Sequence, residues 1–388
     1  MLDTVILRLP RHQLVDMEPG GGARQPWRLQ ARGAGYTKYV KNPTAKDKLA
    51  GLYLPRLTGI MRGKADKSVR IEFSAPKLLF GNNLEELRDE DFPRVVATLS
   101  ERLRLMGIRV FTAHLEQAEV MAFHPSKNVA LRDGYTSAGA IAELGKLNPH
   151  GRMDLTKATY TNGAAIHIYS VAHSLVFYDK VADLNQPKKR AVDKDKAPKQ
   201  QGLIKTLGPH TEILRVEVRL CQKRKVIEAM KKCGKTGRIA FRDVFSETVC
   251  GGILRRYWKE FTEGSYGRLL ASTCSPERLL AKAIASGLKP KEAVYLVGLY
   301  GLSRSEGGIR GLRRQISAGR SERGWFRTVN DLKQAESLLT SSERHGWYLQ
   351  TEEALNKMEP FRVVDKSKAT APKLSQVKAK AGQLACKE

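Results

Sequence analysis

Tyr178 and Lys180 sit two residues apart in Ser174-Leu175-Val176-Phe177-Tyr178-Asp179-Lys180, a run apolar enough to form a strand. In a strand, side chains two apart share a face, so this spacing couples a phenol to an ammonium and sends Phe177 to the other side. A phenol with a pKa of about 10 is a poor nucleophile near neutrality. A neighbouring cation or metal stabilises the phenolate and the charge that builds on an attacked phosphate. The same run is also compatible with an ordinary strand tyrosine beside a solvated lysine.

A second run, Ile213-Leu214-Arg215-Val216-Glu217-Val218-Arg219-Leu220, alternates strictly. Leu214, Val216, Val218 and Leu220 form an aliphatic face, and Arg215, Glu217 and Arg219 form a charged one. In water that charged face is a plain ion ladder. In a cleft, Glu217 is a hard oxygen ligand for Mg²⁺ or Mn²⁺ and the two arginines grip phosphates. His124 closes a strand-like stretch that leads towards Lys127 and Asn128, and it reads either as a metal ligand or as a hydrogen-bonded structural histidine. His167 is a weaker candidate of the same kind, and His173 reads as a turn residue. Lys77 lies between a strand and the Gly81-Asn82-Asn83 corner, where backbone amides suit a phosphate, although a plain strand-to-helix connection with a solvated Lys77 is the favoured reading.

The elements that must hold these residues can be outlined from periodicity. Residues 3–9 and 69–74 read as strands, with Gly20-Gly21-Gly22 as a loop between them. A long amphipathic helix is expected over 84–106, with Pro93 kinking or restarting it and Asp91 as a second cap. Further strands are expected at 118–124, in a 164–170/175–180 hairpin and at 213–220, with a helix at 137–147. From about 222 the pattern turns helical, with segments near 225–232, 241–261, 276–286, 291–302 and 329–339. The fold class is α+β: an antiparallel-sheet domain over 1–235 with a basic mobile loop at 185–207, a helical DNA-binding or accessory domain over 236–360, and a disordered basic tail over 361–388.

Composition narrows the partner. Lysine and arginine number 68 against 40 acids, a net charge of +28 spread along all 388 residues, so a polyanion is expected. The longest apolar stretch, about 293–302, is half a bilayer span, which favours nucleic acid over a membrane. Five cysteines with no C-x-x-C pair signal neither a disulfide frame nor a zinc site, and they fit a reducing cytoplasm. With no Walker loop, no G-x-G-x-x-G after a strand and no H-E-x-x-H, nucleotide hydrolysis and zinc proteolysis lack support.

Taken in order, Met1 to Pro10, Ser74-Ala75-Pro76-Lys77 with Gly81-Asn82-Asn83, Leu175-Val176-Phe177-Tyr178 and Arg215 to Arg219 resemble the replication initiator family of filamentous bacteriophages, the II/X family. The order and spacing carry the likeness, over about residues 1–235. The resemblance implies a nicking domain related to rolling-circle initiator (HUH-like) folds. It implies that Tyr178, helped by Lys180, nicks one strand of double-stranded origin DNA through a 5′-phosphotyrosine, and that Glu217 and His124 hold Mg²⁺ or Mn²⁺. Arg215, Arg219, Lys77 and Lys127 would contact DNA. Single-stranded phage DNA and a host helicase and polymerase would be partners in the cytoplasm of the bacterial host. Related initiators carry an acidic residue or a His-hydrophobe-His pair on the central strand, whereas this strand ends in His124 and the sequence has no His-x-His pair, so His124 fills that slot, Asp179 or Glu119 contributes, or the ion rests on Glu217 and waters. The reading of another class is a non-catalytic basic DNA-binding protein, a regulator or packaging factor, and a tyrosine recombinase is a third.

Overall fold

A computed structural model describes residues 1–17, 27–33, 35–44, 47, 52–62, 66–147, 157–161, 165–185, 203, 206–207, 211–263, 275–304, 308–316, 322–339 and 345–363. The expected glycine loop at 20–22, most of the basic loop at 185–207 and nearly all of the 361–388 tail lie outside the described residues.

In chain order, strands β1 (Leu2–Pro10), β2 (Leu14–Met17), β3 (Arg28–Gly33), β4 (Tyr36–Lys41), β5 (Arg56–Arg62) and β6 (Asp66–Ser74) precede helices α1 (Ala75–Phe80) and α2 (Phe92–Leu105). Then come β7 (Ile108–Val110), α3 (Thr112–Glu116), β8 (Glu119–Leu131), α4 (Ser137–Gly145), β9 (Lys157–Thr161), β10 (Ala165–Tyr169), β11 (His173–Asp179), α5 (Lys180–Asn185) and β12 (Glu212–Leu220). The described elements that follow are helices: α6 (Lys223–Lys231), α7 (Phe241–Val244), α8 (Glu247–Glu263), α9 (Pro276–Ala285), α10 (Pro290–Arg304), α11 (Gly308–Ile316), α12 (Glu322–Leu339) and α13 (Gly346–Lys357).

The protein is α+β. Among the described residues ten strands form one sheet in the order β3-β4-β5-β6-β1-β8-β12-β11-β10-β9, and each neighbouring pair is antiparallel. Strict alternation gives the sheet two unlike faces. Val5, Leu7, Ile71, Phe73, Leu175, Phe177, Leu214, Val216 and Val218 are fully buried in one core shared with α2 and α8. Phe177 packs at 6.0 Å on Trp258 and at 5.3 Å on Phe261, which seats α8 under the sheet. The opposite face carries the polar residues, among them Tyr178, Arg215, Glu217 and Arg219.

Several expected boundaries shift for visible reasons. The long helix expected from 84 begins at Phe92, because Pro93 can occupy only a first turn and Asp91 accepts the Arg88 amide at 3.0 Å before it. The strand expected to stop at His124 continues to Leu131. Pro125, which has no amide hydrogen to donate, is tolerated because the β1–β8 register slips between the Leu2–Pro125 and Val5–Phe123 pairs. The β11 strand ends at Asp179, and Lys180 opens α5. His173 begins β11, buried against Tyr257, rather than serving as an exposed turn.

Packing also redraws the expected boundary at 235. Helices α8 and α13 belong to the sheet's own core, whereas α9 to α12 close over two small clusters, one around Ala283 and Ala335 and the other around Ile309 and Leu332. Helices near 308–316 and 346–357 were not marked by the sequence pattern. Among the described residues no helix is long and apolar enough to cross a membrane.

Candidate active site

Three adjacent central strands build the site. Cross-strand register puts Glu217 opposite Val176 on one side and Ser126 on the other, and Arg215 opposite Tyr178 and Asn128. Tyr178 is thus one pair along from the position facing Glu217, a diagonal that long side chains span. The phenol donates to Glu217 Oε2 at 3.1 Å.

Glu217 is held from several directions. Arg219 Nε donates to Oε1 at 2.7 Å, His124 Nδ1 lies 3.7 Å from the same oxygen, and Arg215 Nε lies 3.4 Å from Oε2. Burial alone would push this carboxyl up, but Arg219 and then Arg215 hold it far below the usual carboxylate range. His124 is lowered by burial, with Glu217 opposing, so its neutral form is favoured.

Arg215 is 1% exposed, and its charge is answered internally. One terminal nitrogen donates to Asp3 Oδ2 at 2.6 Å and Ser126 Oγ at 2.9 Å, and the other to the Asn83 carbonyl at 2.8 Å. Its Nε is buried without a hydrogen-bond partner. The DNA-contact role expected of Arg215 therefore becomes an internal one: an arginine this enclosed stabilises charge at the site and does not reach along a strand. Arg219, whose side chain is 36% exposed, is open to a ligand.

Burial pushes the Tyr178 hydroxyl well above its usual value, Arg215 opposing and Glu217 adding to the rise. A free phenolate is thus disfavoured, and the phenol needs a base in contact. Lys180 reaches the tyrosine by a different route from the one its spacing suggests. From the first residue of α5 its ammonium lies 5.5 Å from the Tyr178 ring centroid and 3.2 Å from Asp183 Oδ2. Burial, with Arg215 adding, lowers Lys180 to about 8.

Lys77 and Lys127 do not fit the DNA contacts expected of them. Lys127 is 3% exposed and donates to Glu86 Oε2 and to the Glu359 carbonyl, both at 2.5 Å. Lys77 is buried with its ammonium 5.9 Å from the Tyr53 ring centroid. Asp179 caps α5 by accepting the Ala182 amide at 2.8 Å, and Glu119 pairs with Lys223 at 2.5 Å, so both are already engaged elsewhere. Sequence reasoning missed Asp3, Ser126 and Glu86. Only Asp3 carried a signal, as the one acid in a largely aliphatic first strand.

A divalent cation can be tested against this donor set. Among the described residues no three His, Cys, Asp or Glu side chains converge. Glu217 and His124 do converge, and Mg²⁺ commonly takes one or two protein ligands with waters and substrate phosphate completing its shell. The pair fits such an ion once Arg219 leaves Oε1, a move its exposure allows.

No family model, no curated protein and no solved structure matches the chain. The chemistry of the site therefore rests on its own geometry.

Proposed function

We propose that this protein cuts and rejoins one strand of DNA through Tyr178, as a replication initiator of the rolling-circle type. The hydrogen bond from Tyr178 to Glu217 carries the reading, because it joins a nucleophile to an acceptor within the 2.6–3.2 Å reach that proton transfer requires. The net charge of +28 supports a polyanionic substrate. The resemblance of residues 1–235 to filamentous-phage initiators, with its HUH-like expectation, points the same way.

In the proposed step the Tyr178 oxygen attacks a scissile phosphorus in line while its proton passes to Glu217. The bond from phosphorus to the 3′ oxygen breaks, and that oxygen takes the proton back, leaving a 5′-phosphotyrosine and a free 3′-hydroxyl. Arg219 does two things at once. When it turns from Glu217 to the phosphate it neutralises charge there, and the carboxylate it abandons becomes a stronger base. Arg215 Nε, a buried donor with no hydrogen-bond partner, waits beside the phenol where negative charge passes. Because one ester replaces another, the reverse reaction reseals the strand without a nucleotide. Mg²⁺ or Mn²⁺, held by Glu217 and His124, would supply further charge neutralisation at the phosphate.

A covalent DNA–protein adduct on a denaturing gel tests the reading, with the label retained at the 3′ end of the cut strand. A binder without chemistry gives no adduct, and a recombinase retains a 5′ label instead.

A further inference from the structure

Helix α12 has two unlike sides. Thr328, Leu332 and Ala335 are buried, Leu332 among Leu299, Ile309 and Leu312 and Ala335 among residues of α9 and α10, so three helices back it. The other side, spaced three and four residues apart, presents Arg323, Phe326, Arg327, Asn330 and Gln334, all exposed. Among the described residues neither Arg323 nor Arg327 has a carboxylate partner. Asp331, on the flank of this face, is taken by the Tyr295 hydroxyl at 2.9 Å. Phe326 is 65% exposed, an apolar ring set between two arginines. On the neighbouring α11 the Arg313 guanidinium lies 5.7 Å from the Trp325 ring centroid, and Arg314 and Gln315 are exposed beside it. Residues 304–327 hold seven arginines against two acids.

We propose that α12 enters the major groove of duplex DNA and reads its sequence. The excess of arginine calls for a polyanion. The uncharged members of the face say more, because gripping phosphates alone does not call for them. Asn and Gln pair with the edge of adenine, Arg pairs with that of guanine, and Phe packs on the thymine methyl group. From Arg323 to Gln334 is about 16 Å at 1.5 Å per residue, enough to cross a major groove ~12 Å wide. The deep, narrow major groove of double-stranded RNA does not admit a helix. The choice of DNA rests on the strand-transfer reading, and α12 directs that reaction to one site, but its binding does not need Tyr178 to react.

The test uses the full chain to select from a pool of labelled duplexes of randomised sequence, then compares the enriched duplex with the unselected pool by fluorescence anisotropy over a salt series. The parent is expected to enrich one motif and to bind it at least about 10³-fold more tightly than the pool. Arg327→Gln and Asn330→Ala are each expected to weaken binding of the enriched duplex about tenfold. Asn330→Ala removes no charge, so its binding of the pool and its slope of log K against log salt should match the parent's. Both side chains are exposed, so the melting temperature should hold. A parent that enriches no motif would overturn the proposal. So would a motif that both variants bind as tightly as the parent, or one bound equally well as a single strand. An absent covalent adduct, by contrast, would sink the strand-transfer reading and leave this result standing.

Discussion

Arg219 Nε donates to Glu217 Oε1 at 2.7 Å, and His124 Nδ1 stands 3.7 Å from that same oxygen. One carboxylate oxygen thus faces a guanidinium and an imidazole together. A guanidinium in that position competes with any metal ion the pair would hold. Chelation with EDTA is expected to suppress nicking. In Arg219→Ala the residual nicking should reach half its maximum at a lower Mg²⁺ concentration than in the parent, because the competing cation is gone. A metal titration of both proteins checks this, and an unchanged or higher midpoint would contradict it.

Replacing Glu217 by Gln keeps the shape but removes both the proton acceptor and the counter-charge for two arginines. Strand cutting should fall about 10²- to 10⁴-fold, the usual contribution of a positioned base. Stability should fall as well, by about 3–5 kcal/mol, since Arg215 stays buried with half its acid partners gone. Single-turnover cleavage and urea unfolding measure the two effects separately.

Glu86 predicts an acid-sensitive fold. Its Oε2 accepts from Lys127 and from the Phe361 amide at 2.9 Å, its Oε1 accepts from the Asn128 amide at 2.6 Å, and the Met1 amino group lies 3.9 Å away. Burial would raise this carboxyl, but the amino group and Lys127 outweigh it, so the folded value is depressed. A depressed acid contributes stability that is whole above the unfolded carboxylate value and is lost as pH falls through the folded one. Unfolding free energy should therefore decline below the ordinary carboxylate range. In Glu86→Gln that decline should be shallower, starting from a stability about 3–5 kcal/mol lower. Denaturant melts across a pH series read both.

Phe177 ties the catalytic strand to the helices beneath it. Phe177→Ala should cost about 3–5 kcal/mol by emptying the space between Trp258 and Phe261. Since Tyr178 points to the other face, covalent adduct yield at a temperature where the variant stays folded should change far less than in Glu217→Gln.

Alternation made the heart of the site legible. Arg215-Val216-Glu217-Val218-Arg219 could only form a strand with one charged face, and Tyr178 and Phe177 could only point to opposite sides. Whether that charged face met water or lined an enclosed site depended on Asp3, Ser126 and residues 82–87, which are distant in sequence and carry no periodic signature. The same is true of Lys127. A lysine after a proline reads as an exposed turn until Glu86 and the Glu359 carbonyl, 41 and 232 positions away, are seen to enclose it. Pro125 concealed the continuation of β8, because a proline argues for a strand end unless a register slip accommodates it.

The central claim is that the Tyr178 oxygen becomes bonded to DNA. Incubating the parent and Tyr178→Phe with a 3′-labelled, randomised single-stranded DNA pool and Mg²⁺, then separating under denaturing conditions, tests it most directly. The account predicts a labelled protein band for the parent and none for the variant, with both melting within about 1 kcal/mol of each other because only one hydrogen bond is lost. A labelled band of equal strength from Tyr178→Phe, or no band from the parent, would contradict it.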